Sequence, residues 1–552
     1  IGLVAAFFFL QRDLGPALIL SLLFLILYCV ARGRPWMAAA GMALIVAAFA
    51  IGYRLGIPRT VSGRLQMWLS PWDNSFRGGD HLAQGLWSLA GGAVTGTGLG
   101  LGQPGRVPEI HTDLVLAAIG EELGFVGLLA VLGLYVLLVQ RGFLAAFRAG
   151  GVYSFFLALG LTVLVAVQIL LISGGVVGVV PLSGVVSPFL SSGRTAMLAN
   201  FFILGMLAGI SARPGDPAVT RRFRGAAKWT AAGFALVLAA IVARAAQVQI
   251  VQPDPFLTRG ALTLQADGYR RFQYNPRLVD IARSIPRGNI VDRNGVLLAT
   301  SDAADLEKRR AILERLGATL SPPDRPERGY RYYPFEGKTY HLLGDLNSRV
   351  NWAATNTSFA ERDSRIRLQG YDDFAGIVDV EQPDGSVTRE IQLNYAELIP
   401  VLRHRWQPDH PELRQILDRD RTVRMSIDVR LQVVAAQVLE KYAKRARFGG
   451  AAVVFDAKTG DLLASVSYPW PRREPEVIAE EEEDLRERRP DDDTAGPLFD
   501  RARYGIYPPG STFKLVTAMA ALRKDPQLAR RKFTCKVLPG ERFGNYVRRG
   551  AV

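Results

Sequence analysis

Cysteine is almost absent from these 552 residues: Cys29 lies in an apolar run and Cys535 in a charged one. Two such residues build neither a disulfide framework nor a cysteine-based metal centre. No basic run is interleaved with stacking aromatics, so the formal charge of +15 does not point to nucleic acid. No signal peptide is visible, and export would follow from transmembrane segments. The chain opens on Ile1 rather than Met and stops at Val552 without a domain end, so it is expected to be a fragment cut at both ends.

What is present is sharply divided. Up to about Ile210 the chain is Leu, Val, Ala, Gly and Phe; after Gln247 it reads as a charged soluble protein. Residues 1–10 look like the end of a helix, and spans are expected at Leu14–Ala31, Trp36–Tyr53, Leu114–Gln140, Val152–Ile172, Ala196–Ile210 and Trp229–Ala246. Short-loop arginines (Arg32 and Arg34; Arg141 and Arg148; Arg213 and Arg221 to Lys228) then fall on one side, which the positive-inside rule makes cytoplasmic. A long polar loop, Arg54–Thr112, and the soluble half face outward. That loop carries five arginines, at 54, 59, 64, 77 and 106. A phosphate-bearing substrate would explain them, and so would lipid headgroups.

Within this layout Asp113 stands where the polar loop becomes an apolar helix. Ala117, Gly120 and Gly124 would share its face, leaving room for a groove. Glu121 would flank them about 12 Å deeper at the helical rise. An ionisable side chain inside a span usually lines a pathway. Thr112 and Asp113 are also good helix caps, and spacing alone does not choose between the two.

Four motifs choose. Gln11-Arg12-Asp13-Leu14-Gly15, the glycine-rich Gly91–Gly102, Pro108-Glu109-Ile110-His111-Thr112-Asp113 and Pro181–Gly193 occur in that order. Together they resemble the SEDS family (RodA and FtsW), the peptidoglycan glycosyltransferases. Arg12, Ser192 and Arg194 depart from the family's usual Pro, Tyr and Gly, and Ser173 from its Asn. The glycine-rich loop follows no expected strand and is not a dinucleotide fingerprint. The resemblance implies that Asp113 deprotonates the acceptor hydroxyl of lipid II, which displaces undecaprenyl pyrophosphate from the growing glycan. It implies Arg64, Arg77 and Arg106 as cations at that leaving group, with Glu109, His111 and Glu121 also binding substrate. It further implies a divalent cation, Mg2+ or Mn2+, at this site. No metal ligand cluster is identified from the residues.

In the soluble half, Arg287-Gly288-Asn289-Ile290-Val291-Asp292-Arg293-Asn294-Gly295 reads as a hairpin with an Asn-Gly turn. It closely resembles the membrane-proximal pedestal motif of class B penicillin-binding proteins. Arg331–Pro334 and His341–Gly344 look like pedestal pieces too, and their polar residues are expected to be structural. A strand at Met425–Asp428, a helix at Leu431–Ala446 and a hairpin over Gly449–Ser467 follow. Lys458-Thr459-Gly460 is expected to be only a turn, and the acidic run Glu474–Asp493 a solvated loop. Pro508-Pro509-Gly510-Ser511-Thr512-Phe513-Lys514 precedes an apolar helix. Ser511 would begin that helix, with Lys514 one turn on as its base. This resembles the transpeptidase nucleophile of penicillin-binding proteins, acylated by D-Ala-D-Ala stem peptides and by β-lactams. No serine follows Ser511 and no later Lys-Thr-Gly occurs, so the family's remaining motifs are not in this sequence.

The expected fold is therefore a polytopic α-helical membrane protein, a partial SEDS fold. An extracytoplasmic α+β pedestal and a partial, serine β-lactamase-like transpeptidase domain follow. The expected boundaries are 1–211, a cytoplasmic connector 212–228, an anchor 229–249, the pedestal 250–424 and the transpeptidase part 425–552. The expected function is a bifunctional peptidoglycan synthase of the bacterial plasma membrane, with membrane lipids and other elongation or division proteins as partners. The rivals are a lipid II flippase or scaffold carrying a transpeptidase, and a β-lactam sensor.

Overall fold

The computed structural model describes residues 14–55, 59–213, 215, 218, 220–320, 330–346, 359–445, 449–473 and 496–532. The apolar end 1–10, Cys535 and the acidic run 474–493 lie outside them. Among the described residues, five helices are long and apolar enough to cross a membrane: Gly15–Arg32, Gly124–Arg148, Val152–Val176, Arg194–Ser211 and Arg221–Val251. A further apolar helix, Pro35–Leu55, follows the first after a turn at Gly33, whose φ of 66° suits glycine. The basic turns gather at one end. The Gly215 amide donates to Arg148 O, and Phe223 packs on Phe155 and Phe156. The last of these helices begins at Arg221, so the part of the expected connector from Arg221 to Lys228 is helical.

Two expectations fail at the opposite end, and both failures shape the site. The expected span Leu114–Gln140 is broken. A short helix, Val115–Glu122, ends at Leu123, and the membrane helix starts afresh at Gly124, whose φ is 67°. The Phe125 and Val126 amides leave the helical ladder for Ala93 O and Val94 O at 3.0 and 3.1 Å. The expected polar loop Arg54–Thr112 contains a buried helix, His81–Gly92, with Leu82, Leu86, Trp87 and Leu89 almost wholly enclosed. Those apolar positions recur at helical spacing, which is why that face seeks the core.

The glycine-rich loop has a structural reason. It wraps the helix break, with the Thr97 and Gly98 amides donating to the Glu121 and Glu122 carbonyls, each at 2.9 Å. A Cβ at Gly96 would lie 2.2 Å from Glu122 O, and one at Gly92 1.8 Å from Gly120 O. Only glycine permits that approach.

The soluble half packs on two separate cores. Strand Asp73–Arg77 from the membrane half pairs in parallel with Ala261–Leu264, which pairs antiparallel with Arg270–Gln273. Leu257, Leu278, Tyr395, Leu398, Leu413 and Ile416 join the hydrophobic core of the membrane body. The hairpin Ile290–Val291 with Leu297–Ala299 instead shares a second core with Ile427, Val429 and Val433. Residues of the expected pedestal thus contribute to both cores, one lobe packing with the membrane body and one with the transpeptidase part. The strand expected at Met425–Asp428 sits at Val423–Arg424, in parallel with Ile290–Val291. The helix Val429–Ala443 and the hairpin Gly450–Phe455 with Leu462–Tyr468 are as read.

Candidate functional site

Asp113 sits on a tight loop hung from one carbonyl. The Thr112, Asp113 and Leu114 amides all donate to Glu109 O, at 3.1 to 3.2 Å. Glu109 itself takes a φ of 51°, an uncommon conformation for a residue with a Cβ. The loop is held from the other side by the segment before helix Arg194–Ser211. Ser191 Oγ donates to Thr112 O at 2.5 Å, and the Ser192 amide to His111 O at 3.0 Å. Arg64 completes the enclosure by donating to Ser183 O at 2.6 Å.

The Asp113 carboxyl is half-buried, and burial pushes its pKa up. The Arg64 guanidinium opposes that shift, Glu109 adds to it, and His81 opposes it. His81, at the start of the buried helix, was not singled out in the sequence. Its neighbourhood with Asp113 depends on a helix that composition alone read as a loop.

The other expected substrate contacts are dispersed. Glu109 and His111 are exposed on the same loop as Asp113. Arg77 ends the strand Asp73–Arg77, exposed. Arg106 pairs with Asp280 of the soluble half at 2.6 Å. Glu121 does not line an open groove, contrary to expectation. It is 0% exposed and holds Arg277, itself 2% exposed. Arg277 Nε donates to Glu121 Oε1 at 2.7 Å and Nη2 to Oε2; Ser88 Oγ and the Gln103 amide occupy the rest at 2.7 and 2.9 Å. A carboxylate so fully engaged positions helices rather than substrate. Arg277 lies 156 residues downstream, and no local signal announced it.

Ser511 lies in a 3-10 turn, Gly510–Thr512, that opens the helix Phe513–Lys524. Lys514 is one turn on. Both are exposed, as is nearly all of this helix. Lys458–Gly460 is a turn, with Asp456 Oδ1 accepting from the Lys458 amide at 2.9 Å.

Residues 1–214 match the FtsW/RodA/SpoVE family, described as "Cell cycle protein", and residues 450–540 match the "Penicillin binding protein transpeptidase domain". The chain joins a SEDS-family domain to a penicillin-binding-protein transpeptidase domain. The SEDS segment is 38% identical over 223 residues to "Peptidoglycan glycosyltransferase RodA" of Mycobacterium bovis, covering 40% of this chain and 47% of that protein. It is 33% identical over 171 residues to "Probable peptidoglycan glycosyltransferase FtsW" of Coxiella burnetii, covering 29% of this chain and 44% of that one. This chain thus spans about half the length of the curated relatives it matches. A chain of the solved structure "Structural coordination of polymerization and crosslinking by a peptidoglycan synthase complex" is 27% identical, over 38% of this chain and 58% of its own, with a TM-score of 0.32.

Proposed function

We propose that this protein polymerises lipid II through its SEDS domain and crosslinks the resulting strands through its transpeptidase domain. The observation that carries the first half is the enclosure of Asp113 by Arg64, His81 and the Pro181–Gly193 segment. A base must sit within reach of the attacking hydroxyl. Asp113, with a pKa raised by burial, is suited to accept that proton. The freed oxygen attacks the anomeric carbon, and the undecaprenyl pyrophosphate leaves with inversion. Arg64, whose charge acts on Asp113, would meet developing negative charge.

A divalent cation fits this loop in a limited way. Asp113 and Glu109 lie close enough to interact electrostatically. Mg2+ is commonly held by one or two carboxylates, with substrate phosphates and water completing its shell. The two carboxylates would hold Mg2+ or Mn2+, and the ion would neutralise the pyrophosphate.

In the second half Ser511 Oγ attacks the carbonyl of a D-Ala-D-Ala stem peptide while Lys514 takes its proton. D-Ala leaves, and an acceptor amine then displaces Ser511. The helix ends argue for a common side: Leu55, Gly124, Val176, Arg194 and Val251 all lie opposite the basic turns, so both chemistries would face outward. A flippase would be suited by ionisable groups such as Glu121 and Glu122, and of these Glu121 is locked to Arg277.

The test is lipid II polymerisation by the full-length protein in detergent, with moenomycin present and Asp113→Ala in parallel. Glycan strands from the parent alone support the assignment. Strands from both would retain the enzyme class and remove Asp113 as its base; strands from neither, with folded protein, would favour translocation or a scaffold. Labelling by a fluorescent β-lactam, lost in Ser511→Ala, tests the second half.

A further inference from the structure

The loop between the helices Ile399–Arg403 and Pro411–Leu417 brings His404 and His410 together with Glu412 in the first turn of the second helix. One ligand atom from each lies within 4.8 Å of the others. The two imidazoles stack, 3.4 Å between centroids and 6° from parallel. His404 Nδ1 lies 3.3 Å from Gln407 Oε1, so Nε2 is the ring nitrogen turned toward the other two residues. That Nε2 lies 3.5 Å from Glu412 Oε2. His410 Nδ1 is buried without any hydrogen-bond partner. A buried, unpaired ring nitrogen is costly and asks for a ligand.

We propose that His404, His410 and Glu412 bind a Zn2+ ion that pins this loop against the membrane body. Two nitrogens and a carboxylate, with water as a fourth ligand, are a common zinc set. Tetrahedral bonds of about 2.0 to 2.1 Å place neighbouring ligand atoms about 3.3 Å apart, close to the His404–Glu412 spacing. Parallel rings cannot both aim in-plane at one ion, so the stack opens on binding by rotation of the imidazoles. The neighbouring cations do not block the site. Arg414 is paired with Asp409 and Asp418, and Arg403 with Asp254.

The location gives the ion its role. Arg403 reaches the helix Pro253–Thr258 at the top of the last membrane helix. Arg405 donates to Leu101 O in the glycine-rich loop at 2.6 Å. An ion that fixes the loop fixes both contacts.

Full-length protein carrying a non-histidine tag is stripped with chelator and titrated with Co2+, which reports its coordination by a visible ligand-field band, and then with Zn2+. One Co2+ per chain is expected, displaced by Zn2+ and not by Mg2+. Affinity should fall at least about tenfold in His410→Ala and in Glu412→Gln, given that even outer-sphere changes cost 10- to 100-fold. Tryptic cleavage after Arg403 and Arg405 should slow when Zn2+ is added to the parent and remain unchanged in both variants. Glu412 is 60% exposed, so Glu412→Gln carries the test should His410→Ala misfold. Absence of stoichiometric binding, or equal binding by both variants, overturns the site. Binding without protection overturns the pinning. Neither result bears on polymerisation, which has its own assay.

Discussion

Asp113 is poised by opposing influences, and the balance is measurable. Burial raises its pKa and Arg64 lowers it. The base must be ionised, so polymerisation should fall on the acid side at a pH above that of an ordinary aspartate. Removing the opposing cation in Arg64→Gln should move that limb to still higher pH. A pH–rate profile of polymerisation checks both shifts; an unmoved limb in the variant would remove Arg64 from the site's electrostatics. Arg277 makes a different residue-scale claim. Deleting one partner of a buried pair leaves an uncompensated charge, at a cost of about 3–5 kcal/mol. Arg277→Met should therefore lower the thermal stability of the protein markedly, and Glu121→Gln with Arg277→Met should recover most of it. A double variant no better than the single would mean that the pair is not the joint.

At the scale of elements, the break between Val115–Glu122 and Gly124–Arg148 depends on two close backbone approaches. A Cβ at Gly124 would meet Gly96 N at 2.3 Å, with φ already positive. Gly124→Ala should therefore abolish polymerisation by displacing the Asp113 loop. Gly100 also has a positive φ, 71°, but nothing lies within 4 Å of its Cβ position. Gly100→Ala should cost only the left-handed penalty, about 1–2 kcal/mol, and retain activity. Comparable loss in both would show that loop flexibility matters more than contact.

The transpeptidase-side lobe has its own marker. Burial pushes His341 down to about 4, with its Nε2 3.0 Å from Pro497 O. The unfolded chain takes up this proton below about pH 6.5 and the folded chain does not. The contribution is complete above pH 6.5 and is lost as pH falls toward 4, to roughly 3 kcal/mol. Melting followed over that range should show this decline, and His341→Gln should flatten it.

The same elements show what a linear reading can and cannot reach. The membrane helices and the Asn-Gly hairpin were legible because hydrophobic length and turn chemistry are local. The helix His81–Gly92 was also legible in principle, since Leu82, Leu86 and Leu89 keep helical spacing, but its polar flanks concealed it. The break at Gly124 was not, because apolar periodicity runs straight through it. Asp113 and Arg64 were both named from the sequence, whereas His81 comes beside Asp113 only through folding. The zinc ligands, spread across a proline-containing turn, match no helical metal-binding spacing.

The whole molecule is more tightly joined than a tether requires. Tethering raises effective concentration, but here the halves also share a three-stranded sheet, a buried ion pair and a core. Trp87 Nε1 donates to Arg259 O at 3.1 Å, and Gln249 Nε2 to Gly120 O at 2.9 Å. The helix Arg221–Ala246 itself buries Phe223, Ala227, Ile241 and Ala245 within the membrane body. The covalent connector should therefore be dispensable for association. A protease site inserted between Arg213 and Thr220, cut after purification, should leave two pieces that co-elute through a tag on the soluble piece. Polymerisation should survive the cut, because Asp113 is positioned by contacts rather than by chain continuity. The same cut in an Arg277→Met background should loosen the pair, visible as partial loss of the membrane piece on washing. Separation of the parent pieces after cutting would mean that the sheet and ion pair hold only what the chain already holds, and would give the connector the central role.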